Sequence, residues 1–221
     1  SNAWAKQKAP AQLVMQSAEV MTQQLNAKTL THASVKSIDP KTKQVITDQG
    51  NYVYSQLVLA CGASPIIPSF PGAEHLLQVN SLADYSVFRN QLDQLKSQLN
   101  RPVKIFIIGA GLIGCEFAND LALGGYEVDV IDLAPQALGR LLPEAAALEL
   151  QSKLSAAGVN WHLATTVQAI DRQGDSLQVS LANGGTIACD VFLSAVGLKP
   201  RLELAKAAGI NTNVGIQVNR E

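Results

Sequence analysis

Residues 103–133 read VKIFIIGAGLIGCEFANDLALGGYEVDVIDL, and the rest of the chain is arranged around them. The apolar run Val103 to Ile108 has the character of a strand buried on both faces. Three glycines follow, Gly109, Gly111 and Gly114, and then a helical pattern with Ile113, Phe117 and Leu121 along one face. A second strand, Glu127 to Ile131, ends at Asp132. Each part has a physical task. Gly109 permits a tight strand-to-helix turn, Gly111 leaves room for a pyrophosphate beside the backbone, and Gly114 lets the helix pack close to the strands. The helix start offers free N–H groups and the positive end of its dipole. Asp132, about twenty residues on, is placed to accept hydrogen bonds from a ribose 2′-hydroxyl. Glycine triplets also occur in ordinary loops; here strand, helix, second strand and terminal acid all coincide, which points to a dinucleotide site.

The 221 residues suffice for one large or two small domains, and a hydrophobic fraction of 47% supports a core without covalent staples. A net charge of −1 gives no reason to expect nucleic acid or an anionic membrane as partner. No apolar run approaches the roughly twenty residues of a membrane span, and no secretory-signal pattern is visible. Cys61, Cys115 and Cys189 are sparse, odd in number and far apart, as expected of buried thiols in a reducing cytoplasm. His32, His75 and His162 have neither metal-ligand nor triad spacing, so no metal is expected. Lys199 and Arg201 read as solvated charges. Ser1-Asn2-Ala3 is set aside as the possible remnant of a tag.

Upstream, Pro10 precedes a helical face of Val14, Ala18, Met21 and Leu25. Strands are expected at 29–38, 44–47 and 56–60, with turns at Asp39-Pro40 and Gln49-Gly50. Prolines 65, 68 and 71 mark an irregular crossover. Ser81 and Asp84 form a capping pattern before a helix that buries Phe88, Leu92, Leu95 and Leu99. Downstream, a helix opens at Pro143 and stops at Gly158. Strands are expected at 160–164, 166–170, 177–181 and 191–195, with a hairpin at Asn183-Gly184. A short helix near 202–208 follows.

Two segments read alike. Val35-Lys36-Ser37-Ile38-Asp39 leads through a hairpin to Ala60-Cys61-Gly62-Ala63-Ser64-Pro65. Val167-Gln168-Ala169-Ile170-Asp171 leads through a hairpin to Ala195-Val196-Gly197-Leu198-Lys199-Pro200. Both are V-x-x-I-D, short strands, then A-x-G-x-x-P, as a duplicated unit would be. Only the second copy is preceded by a complete glycine-motif unit. If the copies correspond, roughly 30 residues with another glycine-rich turn are expected ahead of the first, in a longer enzyme with two dinucleotide sites.

GAGLIGCEFA, the acid ending VDVID, LVLACGASP and FLSAVGLKP resemble the FAD-dependent pyridine nucleotide-disulfide oxidoreductases. GLIGCEFANDL with GRLLP is most similar to the rubredoxin reductases among them. The resemblance implies an α/β fold: a Rossmann-like NAD(P)H-binding domain at about 101–200, three-layered with a parallel sheet and a β-meander. Flanking parts of an FAD domain of the same type would be residues 4–100 and a return segment, 201–221. It implies that Gly109, Gly111, Leu112, Ile113 and Gly114 cradle the NAD pyrophosphate, that Asp132 holds the adenine ribose, and that Val196 and Gly197 lie under the nicotinamide half. Val35 would meet the FAD adenine, with Cys61 and Gly62 in the adjoining turn. Glu116 matches a glutamate between nicotinamide and flavin, or else is a carboxylate favoured by the helix dipole. Arg140 is either a contact to an adenosine phosphate or a solvated loop cation. The family's N-terminal glycine motif and later G-D motif do not occur in these 221 residues. The implied activity is hydride transfer from NADH to FAD, then electrons to a small carrier such as rubredoxin. The alternatives are a related reductase with a ferredoxin, flavorubredoxin, nitrite, disulfide or peroxide acceptor, or a non-catalytic NAD(H) sensor.

Overall fold

The computed structural model describes residues 3–219. In chain order, the first elements are α1 (Ala18–Leu25), β1 (Val35–Asp39), β2 (Gln44–Thr47), β3 (Gly50–Val53), β4 (Ala63–Pro65), β5 (Leu76–Gln78) and α2 (Leu82–Gln98). The glycine-motif region supplies β6 (Lys104–Ile108), α3 (Leu112–Leu123) and β7 (Glu127–Ile131). Then follow α4 (Glu144–Ala156), β8 (Val159–His162), β9 (Val167–Gln173), β10 (Ser176–Leu181), β11 (Thr186–Cys189), β12 (Val191–Ser194), β13 (Leu198–Pro200) and α5 (Glu203–Ala207).

Two compact units result. One joins the stretch up to Leu13 with Pro65–Gly197; the other joins Val14–Ser64 with the chain from Leu198 onward. The first unit therefore reaches back to Pro65 rather than beginning near residue 101. The cause is burial: Phe88 and Leu92 of α2 lie in the same core as Ile105 and Ile107 of β6. The N-terminal stretch joins them as well. Ala3 and Trp4 are buried, Trp4 meets Tyr85 and Phe88 edge-on at 4.8 and 5.2 Å, and the Trp4 and Ala5 N–H groups donate to the buried Asp120 carboxylate. Ala3, set aside in the sequence reading, is packed into this core whatever its origin; Ser1 and Asn2 lie outside the described residues.

The first unit has three layers. Its middle is a five-stranded sheet in the order β5-β12-β6-β7-β8, parallel throughout. Period-two alternation sends the side chains of β6 both ways. Ile105 and Ile107 face the helices with Ala118, Leu121 and Leu154. Phe106 and Ile108 face the meander β9–β11 with Val167, Leu177 and Val179. Phe106 and Phe192 are register partners on adjacent strands and meet edge-to-face at 4.9 Å. With both faces covered, the sheet reads as a continuous apolar run, which is why it was visible in sequence.

Helix ends follow side-chain chemistry. Ser81 Oγ accepts from Asp84 N–H at the start of α2, and Asp84 Oδ2 accepts from Asn80 N–H. On α3 the buried stripe is Gly114, Cys115, Ala118 and Leu121. Ile113, expected on that stripe, is instead 40% exposed at the turn.

In the second unit, β1, β2 and β3 form an antiparallel meander. The strand expected from 29 begins only at Val35, because the chain turns at Thr31 and His32, where His32 has φ +56°. The helix expected from Pro10 is instead a short 3-10 turn, Pro10–Leu13, that belongs to the first unit, and then α1 of the second unit, capped by Ser17. The strand expected at 56–60 does not form. No described strand lies beside it to complete its hydrogen bonds, so its apolar pattern finds no sheet. The structure adds β5, which joins the parallel sheet by pairing with β12, and the two-stranded ribbon of β4 with β13. Neither carried a periodic signal long enough to read.

Asp190 pins the start of β12 to the start of β6. Its carboxylate takes both Arg101 guanidinium nitrogens (2.7 and 2.8 Å) and the Lys104 N–H (2.8 Å). Burial opposes the charge, but the Arg101 bonds and the Lys104 N–H outweigh it and hold the carboxyl below its ordinary value. Because the folded carboxyl titrates below the unfolded one, this stabilisation is present above about pH 4 and is lost as the pH falls through the folded value. Arg101 is 44% exposed, so solvent screens part of the pair. Asp190→Asn should cost about 2 kcal/mol at pH 7 in chemical denaturation, and the difference from wild type should shrink below about pH 4.

Candidate functional site

Three adjacent strands, β12, β6 and β7, run parallel and end side by side. Their exits carry Val196-Gly197, the Gly109–Gly114 turn and Asp132. The strand order changes direction between β12 and β6: from β6 the chain proceeds to β7 and β8 on one side and returns to β12 on the other. In an open α/β sheet such a reversal leaves a crevice outside the carboxyl ends of the strands. Hydrophobic periodicity and spacing do not place β12 beside β6; the pairing joins Val191–Ser194 to Ile105–Ile108 across the intervening chain.

The glycines differ in what confines them. Gly109 has φ +109°, and a Cβ there would lie 2.5 Å from the Ala195 carbonyl oxygen. At Gly114 a Cβ would lie 1.8 Å from the Gly109 carbonyl oxygen. Gly111 is open, with no atom within 4 Å of a Cβ position. The first two glycines are required by the protein's own packing; the third leaves space at the mouth of the turn. Gly111 caps α3 without a side-chain bond, and Cys115 N–H is the first to reach an intrahelical partner, Gly111 O at 2.9 Å. The N–H groups of Leu112, Ile113 and Gly114 precede it and are the orphan donors of the helix start. Leu112 is 59% exposed beside them. Free donors, the positive end of a twelve-residue helix and an open glycine are the chemistry that an anion such as a phosphate requires.

Asp132 has two duties. Its Oδ2 accepts from Ala110 N–H at 2.6 Å and its Oδ1 from Ala134 N–H at 2.8 Å. The carboxylate therefore fastens the glycine turn of β6 to the exit of β7. Each oxygen retains a lone pair for a further donor. The Ala110 contact was not legible in sequence, since it depends on the register that sets Ile108 beside Ile131. The following loop is tied to the same residue through Leu138 N–H to Ala110 O, 2.8 Å.

Glu116 lies on α3 one turn beyond the cradle and is exposed. Arg140 is exposed on the loop after β7. Val196 is half-buried against the meander-side core, and Gly197 has φ +113°. Val35, Cys61 and Gly62 belong to the second unit. There Gly62 has φ +67° and open space around it.

Arg201, read from sequence as a solvated charge, binds the turn that contains Gly62: its N–H donates to Gly62 O and its Nε to Ser64 Oγ. His162 Nε2 is 2.8 Å from Asp129 Oδ1, and its partly exposed ring stacks on Phe106. Burial, with the Asp132 charge second, pushes the Cys115 thiol up to about 11. Burial, then Asp190 and Asp129, pushes Cys189 up to about 12. Both thiols stay protonated at neutral pH and are poor nucleophiles. Among the described residues, no group of three His, Cys, Asp or Glu is placed to hold a metal, and no helix is long and apolar enough to cross a membrane.

Comparison with known proteins identifies the family. The chain is 42% identical to the rubredoxin-NAD(+) reductase of Acinetobacter baylyi, over 99% of this chain and 56% of that protein. It is 40% identical to the nitric oxide reductase FlRd-NAD(+) reductase of Aeromonas hydrophila, over 95% of this chain and 53% of that protein. Among solved structures, the ferredoxin reductase for the CYP199A2 system of Rhodopseudomonas palustris superposes with a TM-score of 0.85 at 29% identity, covering 97% of this chain and 52% of that one. The chain spans about half the length of the curated relatives it matches. The pyridine nucleotide-disulphide oxidoreductase family profile matches residues 1–221. With the glycine cradle, the strand-order reversal and the terminal acid all in place, the chain belongs to that family.

Proposed function

We propose that the protein to which these 221 residues belong is an NADH-dependent flavoprotein reductase that delivers electrons to a small redox protein such as rubredoxin. The observation that carries this reading is the open Gly111 beside the orphan donors of α3, with Asp132 at the next strand exit. Gly109, Gly111, Leu112, Ile113 and Gly114 would hold the NAD(H) pyrophosphate, Asp132 the adenine ribose, and Val196 with Gly197 the nicotinamide half. Arg140 would meet the adenosine phosphate. Val35, Cys61 and Gly62 would form the edge of an FAD site; the FAD pyrophosphate turn has no counterpart in these residues, which contain one G-x-G-x-x-G.

When bound, the two nucleotides supply the hydride and electron transfers. What remains for the chain is to bind and to orient. Orientation falls to Glu116, whose exposed carboxylate would position the nicotinamide end of the cofactor. The three unpaired cysteines support a cytoplasmic location. A flavorubredoxin-type acceptor is the second reading, supported by the nearly equal identity to the FlRd-NAD(+) reductase. Reduction rates with each purified carrier decide between the two.

Cofactor choice tests the site. The Asp132 charge repels a 2′-phosphate and accepts from a 2′-hydroxyl. Calorimetric titration should show NADH binding about tenfold or more tighter than NADPH; equal affinities would reject the assignment. Asp132→Ala should narrow the gap and also weaken both nucleotides, because Ala110 N–H loses its acceptor.

The glycines separate binding from folding. Gly111→Ala meets no atom and has an ordinary φ of −78°. It should fold with unchanged melting temperature yet lose about tenfold in NADH affinity. Gly114→Ala should lose the fold itself, since its Cβ would strike the Gly109 carbonyl.

Glu116→Gln tests the chemistry. In the flavin-loaded enzyme it should leave fold and NADH affinity near wild type, while nucleotide-driven flavin bleaching slows about tenfold, or about 1.4 kcal/mol of barrier. Stopped-flow absorbance measures that step, and an unchanged rate would leave Glu116 as a charge favoured by the helix start.

A further inference from the structure

The two A-x-G-x-x-P turns are built alike and held differently. In each copy the glycine has positive φ, +67° at Gly62 and +113° at Gly197. In each copy the glycine carbonyl accepts from the residue that follows the proline of the other copy. Gly62 O takes the Arg201 N–H and Gly197 O takes the Ile66 N–H, both at 3.0 Å. Ile66 and Arg201 are therefore equivalent positions of the repeat. One is apolar and the other is an arginine.

That difference matches a difference in packing. The turn at Gly197 is wedged by its neighbours: Ala195 packs on the helix-side core and Val196 on the meander-side core. The turn at Gly62 has no such support. No residue from 57 to 64 joins either core, and nothing lies within 4 Å of a Cβ at Gly62. Its shape depends on hydrogen bonds, and Arg201 spans it from end to end. Besides the backbone bond to Gly62 O, Arg201 Nε donates to Ser64 Oγ at 2.8 Å and a terminal nitrogen donates to Cys61 O at 3.5 Å. A guanidinium has several donors in a fixed plane and can serve an oxygen at each end of a turn; an ammonium acts as a point charge.

We infer that Arg201 is a positioning residue for the flavin side: it holds Cys61–Ser64 in the shape that receives the flavin nucleotide, the task that core packing performs at Gly197. This rests on the FAD edge proposed above. The test uses the whole natural protein. Deuterium exchange of a peptide covering residues 60–66, in flavin-free protein, reads the clamp without the cofactor. Titration with FAD and with NADH reads its consequence. Arg201→Ala should speed exchange in that peptide and weaken FAD binding about tenfold, with NADH affinity unchanged. Arg201→Lys, whose compact ammonium lacks the planar fork that reaches both ends of the turn, should recover part of both. Ser64→Ala should act in the same direction and less strongly.

Unchanged exchange in Arg201→Ala would overturn the clamp. Faster exchange with unchanged FAD affinity would overturn its positioning role. Equal losses of FAD and NADH affinity would mean general destabilisation and overturn it as well. A wild-type protein that binds no FAD would refute the proposed function and the flavin part of this inference together, while the exchange comparison still decides whether Arg201 holds the turn.

Discussion

No side chain fits between the start of α3 and the end of β6. A Cβ on Gly114 would be 1.8 Å from the Gly109 oxygen, and a Cβ on Gly109 would be 2.5 Å from the Ala195 oxygen. Three backbones thus approach one another more closely than any residue but glycine allows. This contact brings the exit of β12 against the exit of β6 and aims the helix start between them. Widening it by one methyl group would displace the orphan N–H groups from the strand ends. The site follows from that approach: the open Gly111 is useful only because its neighbours are closed.

Charge is used sparingly and with partners. Asp132 secures the turn through Ala110 N–H and Ala134 N–H before any ligand is considered. Asp190 performs a comparable task at the opposite end of β6, where Arg101 and the Lys104 N–H satisfy it. Asp120 fixes the N-terminal stretch by accepting from Trp4 and Ala5. In each case a carboxylate joins segments distant in sequence through backbone N–H groups, whose positions do not depend on rotamers. The two buried thiols have pKa values raised by burial, which keeps them protonated at neutral pH and leaves them as packing groups.

The repeat shows how one motif is stabilised in two ways. The meanders β1–β3 and β9–β11 are both antiparallel, and β4 and β13, which follow the paired turns, join in one ribbon. The second copy buries Leu177, Val179 and Leu181 against the parallel sheet. In the first copy, only Ile38 is a buried hydrophobic residue of the meander. Where burial is scarce, hydrogen bonds such as those of Arg201 set the local shape.

The sequence by itself determined what is local or continuous. The buried run 103–108, the glycine spacing, the acid after β7, the cap at Ser81 and the hairpin at Asn183-Gly184 all act within a few residues, so their signals survive in one dimension. The resemblance of the motifs to a reductase family was likewise legible, because GAGLIGCEFA and FLSAVGLKP are unbroken stretches. Tertiary structure alone decided what depends on partners. Val58 sits in a strand-like pattern yet forms no strand, because a strand requires a neighbour. Leu76–Gln78 has little pattern yet becomes one beside β12. Phe88 packs with β6 and carries the unit's border back to Pro65. Ala110 N–H finds Asp132, and Arg201 finds Ser64, across separations of 22 and 137 residues. Hydrogen-bond partners and burial are properties of pairs in space, and no single residue's identity records them.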